Sequence, residues 1–351
     1  MFFASDNTGP IPPRIMEALI QANTGHVMPY GDDPIMEKVR VKIREIFEAP
    51  EAAVYLVATG TAANALVLAT LAKPWETIFG HEISHIAEDE CGAPEFYSNG
   101  AKITLVPGEA ARMDPDALRA AIRQSGSKGV HSVQRGPVSI TQATEAGTIY
   151  ALSEIGALTE IAREFGLKTH LDGARFANAL VALDCTPAEM TWKAGIDAVV
   201  FGGTKNGLLG VEAVIFFDPD HAWEFELLRK RGGHLFSKHR YLSAQMDAYL
   251  TDGFWLDLAR KANANMRRLS DGQRGIPGIS FEHEPQANLL FVNMPRAAHE
   301  RATNAGAQYY LFPSSGVPPE EADDDPITCR LTCSWSLQAD QIDRFLHLVR
   351  G

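Results

Sequence analysis

Four short stretches of this 351-residue chain carry side chains whose types and spacing could do chemistry together. In Val199-Val200-Phe201-Gly202-Gly203-Thr204-Lys205-Asn206-Gly207, an apolar β-branched run stops at two glycines and delivers one lysine into a Gly-flanked turn. A lysine partly withdrawn from water loses its proton more readily and becomes an amine nucleophile, able to form a Schiff base with a carbonyl. Leu167-Lys168-Thr169-His170-Leu171-Asp172-Gly173-Ala174-Arg175 ends a second run on an aspartate, with an arginine three residues later. Such an aspartate can hold a proton on a heterocyclic nitrogen, and the arginine can grip a phenolate or carboxylate oxygen. Gly60-Thr61 joins a strand to a helix, and helix N-termini hold phosphate through unpaired N–H groups and the helix dipole. His81-Glu82-Ile83-Ser84-His85 has the His-Glu-x-x-His form of zinc hydrolases, with Glu88, Asp89 and Glu90 as candidate third ligands. Its other reading places one histidine over a flat ring. Singly, each stretch has a plainer account: a loop lysine, an Asp-Gly turn, a capped turn, two histidines at a helix start.

The elements that must position these groups are visible as periodicity. Helical spacing predicts helices over Pro12 to Ala22, Ile35 to Phe47, Ala65 to Leu71, Asp114 to Arg123 and Leu152 to Phe165. Strands are expected at Ala52 to Ala58, Thr77 to Gly80, Ile103 to Val106 and Val138 to Gln142, then at the runs ending on Asp172 and before Lys205. Strand–helix alternation predicts a mostly parallel, doubly covered sheet, whose ligands bind at the carboxyl ends of the strands. After Phe217 the character changes to long helices, with a basic cluster at Arg229-Lys230-Arg231, Lys238 and Arg240. That cluster is either solvated helix charge or a second grip on a phosphate, reaching into an adjacent subunit. A small tail follows with strands at Leu289 to Val292 and Thr328 to Cys333, a solvated loop at Asp323 to Pro326 and a last helix over Gln338 to Val349. Arg330, inside an apolar strand, must be paired or bind something.

Composition bounds the partners. The net charge of −12 argues against a nucleic-acid or anionic-membrane partner. The longest apolar stretches are too short to span a bilayer, and the first residues lack the pattern of a signal peptide. Four scattered cysteines are read as buried reduced thiols rather than a zinc site. A cytoplasmic enzyme is expected.

An amine at Lys205, a heterocycle partner at Asp172, a phosphate cradle at Gly60-Thr61 and a ring stacker at His85 are the four partners that pyridoxal phosphate requires. The whole ordered set resembles the low-specificity L-threonine aldolases, including the phenylserine aldolase branch, among the fold-type I pyridoxal-phosphate enzymes. The resemblance rests on Ser5-Asp6-Asn7, Gly25-His26 through Asp33, Gly60 to Asn64, His85 through Pro94, His170 to Arg175, Phe201 to Gly207, and Arg330. It implies an α/β fold: a large domain over residues 1–248 with a mostly parallel seven-stranded sheet, and a small α+β domain over 249–351. It further implies Lys205 as the covalent attachment point, with Asp172 on the pyridine nitrogen and His85 stacked on the ring. Gly60 and Thr61 hold the phosphate, with Lys238 from a neighbouring subunit, and Arg175 borders the cofactor. Ser5, Tyr30, Arg175 and Arg330 take the substrate, and no metal is involved. A homotetramer of two dimers with shared sites is expected. The activity implied is cleavage of L-threonine, L-allo-threonine and related L-β-hydroxy-α-amino acids, phenylserine included, to glycine and an aldehyde. The rivals are a β-eliminating lyase or aminotransferase on the same cofactor, and a zinc hydrolase using His81, Glu82 and His85. Many relatives carry a histidine on the strand that here reads Ser139 to Thr144. Gln142 cannot act as a base, which leaves His85 or an ordered water as proton acceptor.

Overall fold

A computed structural model describes residues 1–312 and 326–351; the expected acidic loop at Asp323 to Asp325 lies outside them. The large sheet has seven strands: β1 (Ala53–Val57), β2 (Glu76–His81), β3 (Lys102–Val106), β4 (Gln134–Thr141), β5 (Thr169–Gly173), β6 (Ala198–Gly202) and β7 (Glu212–Phe216). Their order is β1-β7-β6-β5-β4-β2-β3. All neighbours are parallel except β7, which runs antiparallel to both β1 and β6. The register of Thr141 with Asp172 and of Gly173 with Phe201 brings the carboxyl ends of β4, β5 and β6 to one edge.

Burial explains the patterns. Strands β1, β5, β6 and β7 are buried along their whole length, as strands of a doubly covered sheet must be. The helix Gly60–Leu71 is buried from Ala62 through Thr70. It packs on the sheet and on helices Ala93–Tyr97 and Ala222–Arg231, so it shows no amphipathic stripe. Phe201, one residue from the end of β6, meets Phe176 and Trp255 edge-to-face at centroid distances of 5.3 and 5.2 Å. That cluster anchors the strand leading to Lys205, and truncating such a ring costs about 3–5 kcal/mol.

A second sheet, in the order β10-β11-β9-β8, comprises β8 (Ser280–Phe281), β9 (Leu289–Met294), β10 (Tyr310–Leu311) and β11 (Ile327–Thr332). It has its own core, which includes Phe3 from the start of the chain. Thr332 N–H donates to the Phe3 carbonyl at 2.7 Å, tying that start to the second sheet. Cys329 and Cys333 are buried free thiols as expected, whereas Cys185 is half-buried and Cys91 exposed. Among the described residues no helix is long and apolar enough to cross a membrane.

Candidate active site

A cleft of about 260 Å³ opens at the carboxyl ends of β1, β5 and β6, and its lining includes Gly60, Thr61, His85, Asp172, Lys205 and Glu212. A Cβ on Gly202 would stand 2.5 Å from the Ala174 carbonyl oxygen, so the ends of β5 and β6 can touch only through glycine. At one wall, the Thr59 hydroxyl accepts the N–H of Ala62 at 3.2 Å and starts the helix Gly60–Leu71 earlier than its apolar spacing suggested. The N–H groups of Gly60 and Thr61 have no partner within the helix, and a Cβ on Gly60 would meet nothing within 4 Å. That is an open cradle for an anion.

Along the cleft runs a polar chain that sequence reasoning missed. Asn64 Nδ2 donates to Asp172 Oδ2 at 3.0 Å and to Glu90 Oε1 at 2.8 Å. His85 Nδ1 stands 2.8 Å from the same Glu90 oxygen, and Ala174 N–H donates to Asp172 Oδ1 at 3.0 Å. A carboxylate offers about four lone-pair sites, so Asp172 retains acceptor capacity toward the cleft. The hydrogen bond that His85 donates to Glu90 holds the imidazole above its ordinary pKa, against the effect of burial and with a smaller push from Asp172. Burial raises the Glu90 carboxyl, although His85 and Asn64 pull it down. A histidine fixed at Nδ1 presents Nε2 to its surroundings. The available signal was an asparagine inside a wholly buried helix.

Lys205 is the middle residue of a single 3-10 turn, Thr204–Asn206. Asn206 pins the turn from one side, donating to the Tyr249 hydroxyl at 2.7 Å and the Trp255 carbonyl at 2.8 Å. Over it lies the turn Asp6–Thr8, begun by Ser5, whose hydroxyl accepts the Asn7 N–H at 3.1 Å. Asp6 and Arg175 form a buried ion pair through Arg175 Nε and Nη2 at 2.8 and 3.2 Å. Asn288 adds a third donor to Asp6 at 3.2 Å. Arg175 Nη1 is left uncommitted by this pair, beside Ala174 of the cleft lining.

Other expected residues lie elsewhere. The Tyr30 N–H donates to the Ser237 carbonyl, and the Lys230 ammonium sits 4.9 Å from the Tyr30 ring centroid. Tyr30 and exposed Lys238 are thus neighbours on the surface, outside the lining of their own chain's cleft. Arg229 and Arg240 are not free phosphate grips. Arg229 is buried over the Tyr55 ring, and Arg240 donates to the carbonyls of Thr24 and Gly25. Arg330 stacks on Tyr310 at 4.8 Å, and its Nε has no hydrogen-bond partner among the described residues. Gln142 is fully buried and bonds both ways to the Tyr150 backbone, so it faces the core rather than the cleft.

The His-Glu-x-x-His reading fails on geometry. His81 closes β2 while His85 opens the short helix His85–Glu88, so the two share no helix face. His81 Nε2 is spent on the Gly108 carbonyl at 3.2 Å. Replacing His81 with alanine is expected to cost about 1 kcal/mol of stability, the worth of such a bond, and to leave kcat unchanged. Activity lost together with a bound metal would restore the zinc reading.

The donor set fits pyridoxal phosphate: a cradle open at Gly60, an acceptor at Asp172, an amine at Lys205 and a flat ring at His85. Fold and cleft together define a pyridoxal-phosphate enzyme of fold type I, acting as a lyase. A family model described as beta-eliminating lyase matches residues 3–296. The chain is 39% identical over 349 residues to a "Low specificity L-threonine aldolase" of Pseudomonas sp. (strain NCIMB 10558), covering 99% of this chain and 97% of that protein. It is 38% identical over 354 residues to a protein of the same name from Pseudomonas aeruginosa, covering 99% and 98%. A solved threonine aldolase from Leishmania major superposes with a TM-score of 0.91 at 26% identity, covering 99% of this chain and 98% of that one. The chain belongs to the beta-eliminating lyase family, in its low-specificity L-threonine aldolase branch.

Proposed function

We propose that this enzyme cleaves L-threonine, L-allo-threonine and related L-β-hydroxy-α-amino acids, phenylserine among them, to glycine and an aldehyde. The observation that carries the proposal is the single cleft that brings Lys205, Asp172 and the Glu90-bound His85 together. When bound, pyridoxal phosphate supplies an aldehyde for amine exchange and an electron sink for the charge left at Cα. Lys205 would hold the cofactor between turnovers through its amine. Asp172 keeps a proton on the ring nitrogen, while Gly60 and Thr61 hold the phosphate. Ser5, Arg175 Nη1 and Arg330 would bind the substrate carboxylate, and that grip would orient the substrate at Cα. His85 Nε2 takes the β-hydroxyl proton, and loss of that proton drives Cα–Cβ cleavage. Product analysis with L-threonine decides: glycine and acetaldehyde support the proposal, whereas ammonia with 2-oxobutanoate would make the enzyme an eliminating lyase.

A base must be unprotonated to act, and Glu90 raises the pKa of His85. In Glu90→Gln the hydrogen bond to a carboxylate is lost, the imidazole pKa falls, and the acid limb of kcat/KM moves to lower pH. A pH–rate profile with an unmoved acid limb would remove His85 from the role of base.

The division into residues 1–248, holding the cofactor, and 249–351, closing the substrate side, is part of the same proposal. So is a cytoplasmic homotetramer of two dimers, with Tyr30 and Lys238 completing a neighbour's cleft. Exposed Val27, Met28 and Phe236, near these residues in sequence, supply apolar surface for such a contact.

A further inference from the structure

Glu212 is a buried acid, 6% exposed, that the proposed reaction does not use. It opens β7 within an otherwise apolar strand and pairs with Val57 on one side and Gly202 on the other. Its Oε2 accepts the Gly203 N–H at 2.7 Å, and Gly203 is the residue that caps the Lys205 turn. The Thr204 hydroxyl accepts the Val211 N–H at 3.2 Å and donates its own proton to Glu212, as does the Thr204 N–H. The carboxylate thus gathers the donors at the start of the lysine-bearing turn and, with Lys205, lines the cleft.

We propose that Glu212 is the positioning residue for Lys205: its carboxylate caps the turn and is the counter-charge to the cation that Lys205 Nζ presents in the cleft. This rests on reading Lys205 as the cofactor-bearing amine. A carboxylate placed only to cap would serve as well in water, but this one is buried, where its charge acts strongly on a neighbouring cation. Burial pushes its carboxyl up to about 7, against the pull of Thr204, Gly203 and Lys205. The ionisable groups that face it are Lys205, from the turn it caps, and Tyr249, from helix Arg240–Leu250. Lys205 is faced in addition by Asp6, from the turn Asp6–Thr8, and by His85. The sheet neighbours of Glu212, Val57 and Gly202, bring no charge. The anion therefore favours the protonated, cationic form of the nitrogen at Lys205, and neutralising it favours the unprotonated form.

The test is a pH titration of the visible band of the lysine-bound cofactor in holoenzyme, for the wild type, Glu212→Gln and Glu212→Asp. Gln keeps the shape and an acceptor oxygen for Gly203 but carries no charge. Its spectral midpoint is expected about one pH unit below wild type, a tenfold loss of proton affinity. Asp, charged but shorter, is expected between the two. An unchanged midpoint in whichever variant folds overturns the proposal, even if thermal stability drops, because a purely structural cap would alter only stability. A wild-type protein with no visible band when supplied with the cofactor would instead overturn the reading of Lys205.

Discussion

Lys205→Ala is expected to abolish turnover of L-threonine, lowering kcat by roughly 10⁴-fold or more, as removal of a covalently acting group does. The same change should leave the fold intact. The turn is held by Asn206 through Tyr249 and Trp255, and by the Gly203 N–H on Glu212, with no hydrogen bond from Lys205 itself among those found. The loss must therefore appear in kcat with an unchanged circular-dichroism spectrum and an unfolding midpoint close to wild type. A folded variant that retains a few per cent of the wild-type rate would show that the essential amine lies elsewhere.

The second large effect is on stability. Asp6 and Arg175 are both buried, at 7% and 8% exposure, and each is the other's charge partner. Removing one member of such a pair leaves an uncompensated buried charge, so Asp6→Ala should cost about 3–5 kcal/mol in equilibrium urea unfolding. Burial pushes the Asp6 carboxyl up, but the charges of Arg175 and Lys205 and the bonds from Arg175 and Asn288 outweigh it. The net pKa lies below the ordinary 3.8. A carboxyl depressed in the folded state contributes its full stabilisation above the unfolded value and loses it as pH falls through the folded one. The contribution should therefore be intact from weakly acidic to neutral solution and vanish only in strong acid. A cost under about 1 kcal/mol at pH 7, the range of an exposed pair, would mean that water reaches Arg175.

Lys205, Asp172 and Gly60 are legible in the sequence because each is or stands near a glycine at or just past a strand end. Lys205 follows Gly202-Gly203, Asp172 precedes Gly173, and Gly60 opens a helix behind β1. Strand ends at the carboxyl edge of a parallel sheet converge whatever the details of packing, so chemistry read from local pattern assembles correctly in space. The supporting ring is different. Glu90 and His85 are near in the chain, but the pair meets Asp172 only through Asn64, from another element. No spacing along the chain encodes that meeting. Glu212 carried a local signal, an acid inside Val211 to Phe217, of the same kind that singled out Arg330. Tyr30 and Lys238 show the opposite limit: both lie outside the lining of their own chain's cleft, and no local pattern marks that. The His81–His85 spacing misleads because a strand ends and a helix begins between the two histidines.

The central claim is that Lys205 and Asp172 clasp pyridoxal phosphate and hand it to an amino acid. An absorbance spectrum of the purified protein supplied with the cofactor, before and after addition of glycine, tests it most directly. A visible band that shifts when glycine is added, and that is altered in Lys205→Ala, is the predicted result. A protein that stays colourless with pyridoxal phosphate, or whose band in Lys205→Ala is identical to wild type, would contradict the account.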